Sequence, residues 1–326
     1  MTTNIRIQLI SVLVGAGLLV AKFWAYWITL SNTVLTDALE SIVNVVAGVL
    51  GLYSLIIAAQ PKDEDHPYGH GKVEFISAGV EGTLIGIAGG LIMVKSVHTL
   101  FNPEPLSNLD WGVYITAFAG LVNYGLGAWA IRQGKRANSL ALIASGKHLM
   151  SDAYSTVGLV VGLGLIMLTG WQVLDSIIAV IFGGIIAWTG YGLVRESVSG
   201  IMDEVDYPLL DEVAALLDKN RQPDWIDIHN LRIIKYGNAL HVDCHLTVPR
   251  FFDVVTAHAE VDKLEALFEG AFKAPTELFI HVDACIPSSC KLCTRQNCPV
   301  RSEAFQALET WAVPNILLNR KHGIEE

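Results

Sequence analysis

Long apolar segments fill most of the first 200 residues, and they constrain the fold more strongly than any other feature of the chain. Six of them have about the 20 residues or more that an α-helix needs to cross a bilayer. They lie at about 6–30, 34–59, 73–100, 111–131, 140–168 and 173–195. Because lipid satisfies no backbone hydrogen bonds, such segments cross it as helices. We therefore predict an α-helical membrane protein with six transmembrane helices in residues 1–202.

The connectors between these segments differ in charge, and this difference predicts an orientation. Positive side chains follow the second and fourth segments, namely Lys62, Lys72, Arg132, Lys135 and Arg136. The alternate connectors contain no lysine or arginine. Because cytoplasmic connectors carry the positive excess, we expect a multi-pass protein of the bacterial inner (plasma) membrane with both termini in the cytoplasm. Lys22 and Lys95 fall inside predicted spans, close enough to the ends for their ammonium groups to reach the interface.

The rest of the chain carries most of the charge and has the character of a water-soluble tail. Turn signals and apolar periodicity predict helix, strand, strand, helix and strand, in that order, at 206–220, 227–236, 239–249, 253–272 and 277–283. We therefore predict a small αββαβ domain over 203–284 and an extension over 285–326, with a short packing helix at 302–311. About 80 residues make a small domain, which dimerisation would help to stabilise. The net charge of −10 lies largely in the tail and argues against a nucleic-acid partner.

Ionisable side chains interrupt two of the apolar segments. His148 and Asp152 are four residues apart in the fifth segment and share one face of a helix. Asp37, Glu40 and Asn44 share one face of the second segment in the same way. Such groups cost several kcal/mol at membrane depth and indicate functional sites. The five side chains predict one site of nitrogen and oxygen ligands, and the competing interpretation is a set of interhelical hydrogen bonds.

The charges of this intramembrane site favour a divalent cation. Glu40 and Asp152 contribute −1 each, so with a neutral His148 the total is −2, which a divalent metal neutralises. Imidazole and carboxylate ligands suit Zn²⁺ or Fe²⁺ and exclude neither Mn²⁺ nor Co²⁺. We expect His148 to be protonated when the site is empty, so that metal binding releases a proton. These properties are the minimum that metal/proton exchange requires.

A distinctive run, Asp63-Glu-Asp-His66-Pro-Tyr-Gly-His70-Gly-Lys72, lies just before the third segment. This run, the His148-x₃-Asp152 pair in a fifth span, and six spans followed by a small αββαβ domain together resemble the cation diffusion facilitator family. The resemblance covers about residues 5–284. It implies a metallochaperone-like cytoplasmic domain and a homodimeric exporter of divalent metal, driven by inward proton movement.

The resemblance also implies site residues in and near the membrane. The transport ligands would be Glu40, Asn44, His148 and Asp152. Glu40 and Asn44 depart from the family's usual residues but keep oxygen ligands, and Asp37, one turn away, is a further candidate. A cytoplasmic loop site would consist of Asp63, His66 and His70, for which the alternative is a solvated polar turn. A charge pair between Lys72 and Asp203 would link the third span to the segment after the sixth.

In the tail, the resemblance implies metal ligands at the interface of a dimer. The matching residues are His229, His245, His258, His281 and Asp283. Metal bound there would draw two tails together and bias the membrane part, so the expected role is regulatory. His241 and Cys244 are additional donors nearby, for which a structural role is the preferred interpretation.

Four of the five cysteines lie in the extension, beyond the resemblance. This cysteine cluster comprises Cys285, Cys290, Cys293 and Cys298, with the spacing C-x₄-C-x₂-C-x₄-C. A cytoplasmic tail disfavours disulfides. Four thiolates suit a structural Zn²⁺, and an iron–sulfur cluster is the rival because a proline follows the last cysteine. Free or redox-active thiols are the third interpretation.

These features together predict a secondary active transporter and not an enzyme. We expect a proton-coupled antiporter that exports Zn²⁺, Fe²⁺, Mn²⁺ or Co²⁺ from the cytoplasm, with metal, protons, membrane lipid and a second copy of the chain as partners. The alternative is a membrane-anchored metal or redox sensor that uses the cysteine cluster. A sensor needs no acids within the membrane, so the second and fifth segments argue against it. An intramembrane metalloenzyme lacks a further nucleophile or base, and no His-Glu-x-x-His run occurs.

Overall fold

Two compact units make up the chain, Met1–Met202 and Asp203–Glu326. The computed structural model describes residues 3–29, 32–101, 111–169, 171, 173–237, 239–272 and 274–322. Each unit has its own secondary structure and its own core, and each is considered separately below.

Six long helices form the first unit. They are α1 Thr3–Thr29, α2 Asn32–Ala58, α3 Val73–Phe101, α4 Trp111–Ala137, α5 Leu140–Thr169 and α6 Val173–Ile201. Within the described residues, α1, α2, α3 and α6 contain stretches long and apolar enough to cross a membrane. Large apolar side chains such as Val94, Leu121 and Trp188 are exposed, as lipid contact requires. The predicted helical membrane fold is confirmed.

α5 is the central helix of this unit, since it contacts each of the other five. Ser139 caps its N-terminus, where the Ser139 hydroxyl accepts a hydrogen bond from the Leu142 amide at 3.4 Å. The face of α5 that carries Ala141, Ser145 and His148 is buried among the neighbouring helices. The central position of α5 therefore brings its polar residues within reach of side chains on several helices.

α3 and α6 approach each other closely through glycine. A Cβ atom added at Gly190 would lie 2.4 Å from the amide nitrogen of Gly86 and 2.6 Å from the carbonyl oxygen of Gly82. A Cβ added at Gly89 would lie 2.5 Å from the amide nitrogen of Ala187. Small residues permit this separation, which is the usual way that membrane helices gain packing contacts.

The second unit contains a three-stranded sheet covered by helices. Its elements are α7 Tyr207–Lys219, β1 Asp227–Tyr236, β2 Ala239–Val248, α8 Val254–Ala271, β3 Thr276–Ala284 and α9 Val313–Ile316. β1 pairs antiparallel with β2, and β2 pairs parallel with β3 through the α8 crossover. Asp206 and Asp253 cap α7 and α8. This arrangement confirms the predicted αββαβ order, whose hairpin turn includes Gly237 and Asn238, the latter outside the described residues.

The predicted helix at 302–311 is wrong. That segment has no regular secondary structure, apart from a bend at Glu303, and the only regular elements of the described extension are a 3₁₀ helix, Pro287–Lys291, and α9. Contacts with other parts of the unit hold the segment at its middle and at its C-terminal end. The amide of Gln306 donates to the Lys291 carbonyl at 2.9 Å, and Trp311, which is 2% exposed, packs into the core of the unit. These tertiary contacts outweigh the local helical preference.

Candidate metal sites

Three of the predicted transport ligands meet within the membrane unit. The Asn44 amide donates through Nδ2 to Asp152 Oδ2 at 2.6 Å. Its Oδ1 lies 2.8 Å from His148 Nε2. Asn44 on α2 therefore joins the two α5 residues, and we call Asn44, His148 and Asp152 the transport group. His148 is 7% exposed, and Asn44 and Asp152 are half-buried.

Asp37 and Glu40 lie on α2, seven and four residues before Asn44. Their helical spacing puts them toward the same face as Asn44. Their side chains lie outside the part of the structure that is described. Their role as ligands therefore stays a prediction.

A cavity of about 40 Å³ borders the transport group, with room for a few water molecules. Its wall includes Glu81 of α3, which is 1% exposed and which the sequence predictions omit. The Ser145 hydroxyl donates to Glu81 Oε1 at 2.8 Å and accepts from Gln8 Nε2 at 3.0 Å. Glu81 Oε2 and His148 Nδ1 have no hydrogen-bond partner among the described residues. An acid in the middle of a predicted span was the signal that could have identified Glu81.

The prediction that the Lys22 ammonium group reaches the membrane interface is wrong. The group does not reach the interface, because the residue is 7% exposed and Nζ donates to the Ser41 hydroxyl at 2.8 Å. Lys22 also lines the cavity beside the transport group. Lys95 is exposed, as expected.

The predicted loop residues also come together. His66 Nδ1 lies 3.0 Å from Asp63 Oδ1, and His70 Nε2 lies 3.3 Å from Asp63 Oδ2. Gly69 closes the turn with a φ of +91°, which a residue with a side chain rarely adopts. Desolvation opposes the shift, but hydrogen bonds from His66, together with the charges of His66 and His70, hold the pKa of Asp63 below its ordinary value. Asp63, His66 and His70 form the loop group, with ligand atoms within 4.8 Å of one another.

The sheet register aligns three of the tail histidines. His229 pairs with His245 across β1 and β2, and His245 pairs with His281 across β2 and β3. Their ring centroids lie 5.0 Å and 4.7 Å apart in the same order. Because side chains alternate between faces, the residues two positions away, Asp227 and Asp283, lie on the same face as the histidines.

Asp283 is the carboxylate at the centre of this face. Its Oδ2 lies 3.0 Å from His245 Nδ1 and 3.5 Å from His229 Nε2. His229, His245 and Asp283 have ligand atoms within 4.8 Å of one another, and we call them the tail group. His281 lies at its edge, with Nε2 3.9 Å from Asp283 Oδ1 and an exposed side chain.

The other tail donors lie apart from this group. His258 is exposed on α8, with Nε2 3.8 Å from Asp262 Oδ1. His241 lies 3.2 Å from Glu277 and packs edge-to-face on Tyr236. Cys244 is 2% exposed in the core, where burial raises the pKa of its thiol to about 12. These positions fit structural roles for His241 and Cys244.

The extension adds groups to the tail site that the sequence predictions omit. Lys321 Nζ lies 3.3 Å from Asp283 Oδ1. The imidazole of His322 pairs with Asp227, whose Oδ2 also lies 3.3 Å from His229 Nδ1. Burial alone would raise the pKa of Asp227, but hydrogen bonds with His229 and His322 lower it below its ordinary value. The signal for Asp227 was its place two residues before His229 in a strand.

All four residues of the cysteine cluster line one small cavity. Cys290 and Cys293 are buried, and none of the four forms a disulfide within the described residues. Burial opposes ionisation of Cys290, but hydrogen bonds from the Ser302 and Glu303 amides, together with nearby Arg301, lower the pKa of its thiol. Lys72 and Asp203, the predicted charge pair, belong to different units, and their pairing stays a prediction.

Comparison with known proteins gives consistent matches. A family described as the cation efflux transmembrane domain matches residues 8–202, and one described as the cytoplasmic domain of cation efflux proteins matches residues 206–285. An uncharacterised transporter of Synechocystis sp. is 36% identical over 75% of this chain and 79% of its own length. The cation-efflux pump FieF of Klebsiella pneumoniae is 27% identical over 87% of this chain and 93% of its own. That of Salmonella typhi is 26% identical over 86% and 92%.

Proposed function

Because the chain belongs to the cation diffusion facilitator family of cation efflux transporters, we propose that it is a proton-coupled antiporter that exports Zn²⁺, Fe²⁺, Mn²⁺ or Co²⁺ from the cytoplasm. The observation that carries the proposal is the link from His148 through Asn44 to Asp152. It joins nitrogen and oxygen ligands from two helices within a unit that spans the membrane. Imidazole, amide and carboxylate groups together suit a divalent transition metal.

The hydrogen bonds of the transport group suggest how a proton is exchanged. Asn44 donates to Asp152 through Nδ2, so its Oδ1 is an acceptor and His148 Nε2 carries the hydrogen. We place the empty site in the imidazolium form, with hydrogens on both ring nitrogens of His148, so that a metal ion binding at Nε2 displaces one of them as a proton. In the proposed cycle, metal binding from the cytoplasm releases a proton, and protonation from the opposite side releases the metal.

The tail would regulate transport in the same proposal. We assign the tail group, with His258 and His281 as further donors, to metal binding in a homodimer whose two tails move together. The proposed division of labour is transport in residues 1–202, dimerisation and regulation in 203–284, and a separate cysteine site in 285–326. The topology proposed has both termini in the cytoplasm and the six helices in the bacterial inner membrane, surrounded by lipid.

Flux through proteoliposomes tests the transport site. We expect Asp152→Asn to reduce proton-driven metal flux to the level of empty vesicles, because the amide removes an anionic ligand without changing side-chain size. Glu196→Gln is the matched control and should retain flux, since Glu196 pairs with Lys147 at 3.6 Å and lies outside the transport group. Unchanged flux in Asp152→Asn would refute the assignment. Flux that continues after an uncoupler dissipates the gradient would refute proton antiport.

A metal or redox sensor remains the second candidate function, because the cysteine cluster lies almost entirely beyond the matched residues. The same preparation distinguishes the two functions. A sensor would bind metal in its tail and move none across the vesicle membrane with any of the four metals. A transporter would move at least one of them at a rate that depends on the proton gradient.

A further inference from the structure

The transport group accounts for one proton per metal ion, the proton that leaves His148. Exchanging one proton for a divalent ion leaves an extra positive charge inside a unit that spans the membrane, where charge is costly. Release of a second proton removes this cost. We propose that Glu81 Oε2 binds the second proton, so that two protons are exchanged for each metal ion. The proposal rests on the proposed antiport function and extends it.

Contacts with three other helices hold the carboxyl group of Glu81 in place. Its Oε1 accepts from the Ser145 hydroxyl of α5 at 2.8 Å. The same hydroxyl accepts from Gln8 Nε2 of α1 at 3.0 Å, and Gln8 Nε2 also donates to the Gly48 carbonyl of α2 at 2.9 Å. The group therefore has a fixed position, set by the packing of the unit.

Gly51 of α2 provides the room for these contacts. A Cβ atom at position 51 would lie 2.7 Å from Ser145 Oγ, 2.8 Å from Glu81 Oε1 and 3.1 Å from Gln8 Nε2. A residue with a side chain would force the three polar groups apart, whereas glycine lets them approach the backbone of α2.

Two buried oxygen atoms of this set lack a hydrogen-bond donor. Glu81 Oε2 and Gln8 Oε1 have no partner among the described residues, and both residues are 1% exposed. Both oxygens are acceptors when the carboxyl group is ionised, so neither can satisfy the other. A proton on Oε2 makes that oxygen a donor and removes a buried charge. Both residues line the cavity of the transport group, so the proton has a place of exchange.

The transport group does little to hold Glu81 in its ionised form while no metal is bound. Among the described residues, the other ionisable groups that line the cavity are Lys22 of α1 and His148 and Asp152 of α5, whereas α2 and α4 line it with uncharged residues. The imidazolium of His148 and the carboxylate of Asp152 offset each other in the empty transport group. The empty protein therefore favours the protonated form of Glu81.

Lys22 lies toward the other end of the cavity from Glu81. Its ammonium group bonds to Ser41 of α2, whereas Gly51, which lies beside Glu81, comes ten residues later on the same helix. Ten residues of α-helix span about 15 Å. The lysine charge is therefore too distant to hold Glu81 in its ionised form.

Metal binding changes this balance of charge. A divalent ion that replaces the proton of His148 adds one positive charge about one helical turn from Glu81, because Ser145 lies three residues before His148. Away from water, charges interact strongly over such a distance, so the ionised form of Glu81 becomes favoured and its proton leaves. When two protons return from the opposite side, one binds His148 Nε2, the other binds Glu81 Oε2, and the metal is released.

The ratio of protons to metal in steady transport tests the proposal. In proteoliposomes that contain the full-length protein, we expect about two protons to move per metal ion, counted with a pH dye and a metal dye. The probe is whichever of Zn²⁺, Fe²⁺, Mn²⁺ and Co²⁺ gives the fastest proton-driven flux. Exchange of two protons for one divalent ion moves no net charge, so a membrane potential imposed with potassium and valinomycin should not change the rate.

Glu81→Gln should lower this ratio to about one. Its remaining flux then moves a positive charge with the metal, so a potential that is negative on the side from which metal leaves should slow it. Glu74→Gln is the control and should keep the wild-type ratio, since Glu74 bonds to Ser139 and Ala141 outside the cavity. A purely structural defect would lower the rate and leave the ratio unchanged.

Proton release at equilibrium gives a second measurement that needs no transport. Saturating the purified protein with the same metal in detergent should release about one proton fewer from Glu81→Gln than from the wild type, because the other metal sites contribute equally to both. Equal release from the two proteins, or a wild-type flux ratio of one, would overturn the second proton site and leave antiport intact. Metal flux with no proton movement would refute antiport itself.

Discussion

Glu81 is a buried acid whose position suggests a part in proton coupling. It lines the cavity of the transport group, and one of its carboxylate oxygens has no hydrogen-bond partner among the described residues. A carboxylate in such a place can hold a proton or attract a cation. Ser145 connects it to α5, three residues before His148. A transport cycle that exchanges metal for protons could use this group to carry one of them.

Replacing Glu81 by glutamine tests this role. The amide keeps an acceptor for Ser145 but cannot ionise, so we expect metal flux to fall by roughly tenfold or more and to lose most of its pH dependence. Flux measured across a series of pH values checks both effects. Glu74→Gln is the control, because Glu74 is also buried on α3 but bonds to Ser139 and Ala141 outside the cavity. Equal losses in both variants would indicate a structural role only.

Single residues were predictable where an energetic cost made them conspicuous. The cost of polar groups in lipid identified His148, Asp152 and Asn44, and helical spacing put His148 and Asp152 on one face of α5. The same reasoning applies to Glu81, which lies in the third segment without a second ionisable residue one turn away. Pairing across helices, such as that of Ser145 with Glu81, depends on packing and has no signal in local spacing.

At the scale of elements, the contact between α3 and α6 depends on glycine. Gly190→Ala would place a methyl group 2.4 Å from a backbone nitrogen, so the helices must separate. Overpacking of this kind costs about 1–3 kcal/mol. We expect the midpoint of thermal unfolding in detergent to be lower in Gly190→Ala. The measurement uses a fluorescent dye that does not react with thiols, or the loss of soluble protein on heating. Gly192→Ala on the same helix is the control, since a Cβ there meets no atom within 4 Å. Equal midpoints would contradict the close approach.

The strands and helices of the tail followed from local signals, and the extension did not. The turn at Gly237 predicted β1 and β2, and local sequence patterns predicted α7 and α8, which Asp206 and Asp253 cap in the structure. In the extension, the chain path is set by the cysteine cavity at one end and by Trp311 in the core at the other. Both contacts join residues that are distant in sequence, so local sequence does not predict them. The apolar residues between these contacts therefore resemble a helix in sequence but do not form one.

At the scale of the whole molecule, the extension supplies side chains that contact the tail group and its neighbours. The Asn230 amide of β1 donates to the Leu318 carbonyl at 2.8 Å, and Ile316 is fully buried in the core. These contacts place Lys321 beside Asp283 and His322 beside Asp227. The residues that follow the cysteine cluster thus contact Asp283 of the tail group and the neighbouring Asp227, so the Lys321 ammonium already neutralises part of the site that we assign to metal.

Lys321 should therefore compete with metal for Asp283. We expect Lys321→Gln to raise the affinity of the tail group for Co²⁺ by roughly twofold to fivefold, because it removes an ammonium group from a partly exposed carboxylate. The absorption of bound Co²⁺, titrated into the full-length protein carrying Asp152→Asn, measures this affinity. Lys263→Gln is the matched control, since Lys263 pairs with Glu260 on α8.

Two further measurements attribute the effect to this contact. The gain should shrink as salt rises, because salt screens exposed ion pairs. It should also vanish when His245→Ala is added, since His245 contributes a ligand atom to the tail group. A gain that persists without His245 would come from another site. If Lys321→Gln and Lys263→Gln bind Co²⁺ with equal affinity, Lys321 does not compete with metal for Asp283. The extension would then stabilise the tail without regulating it.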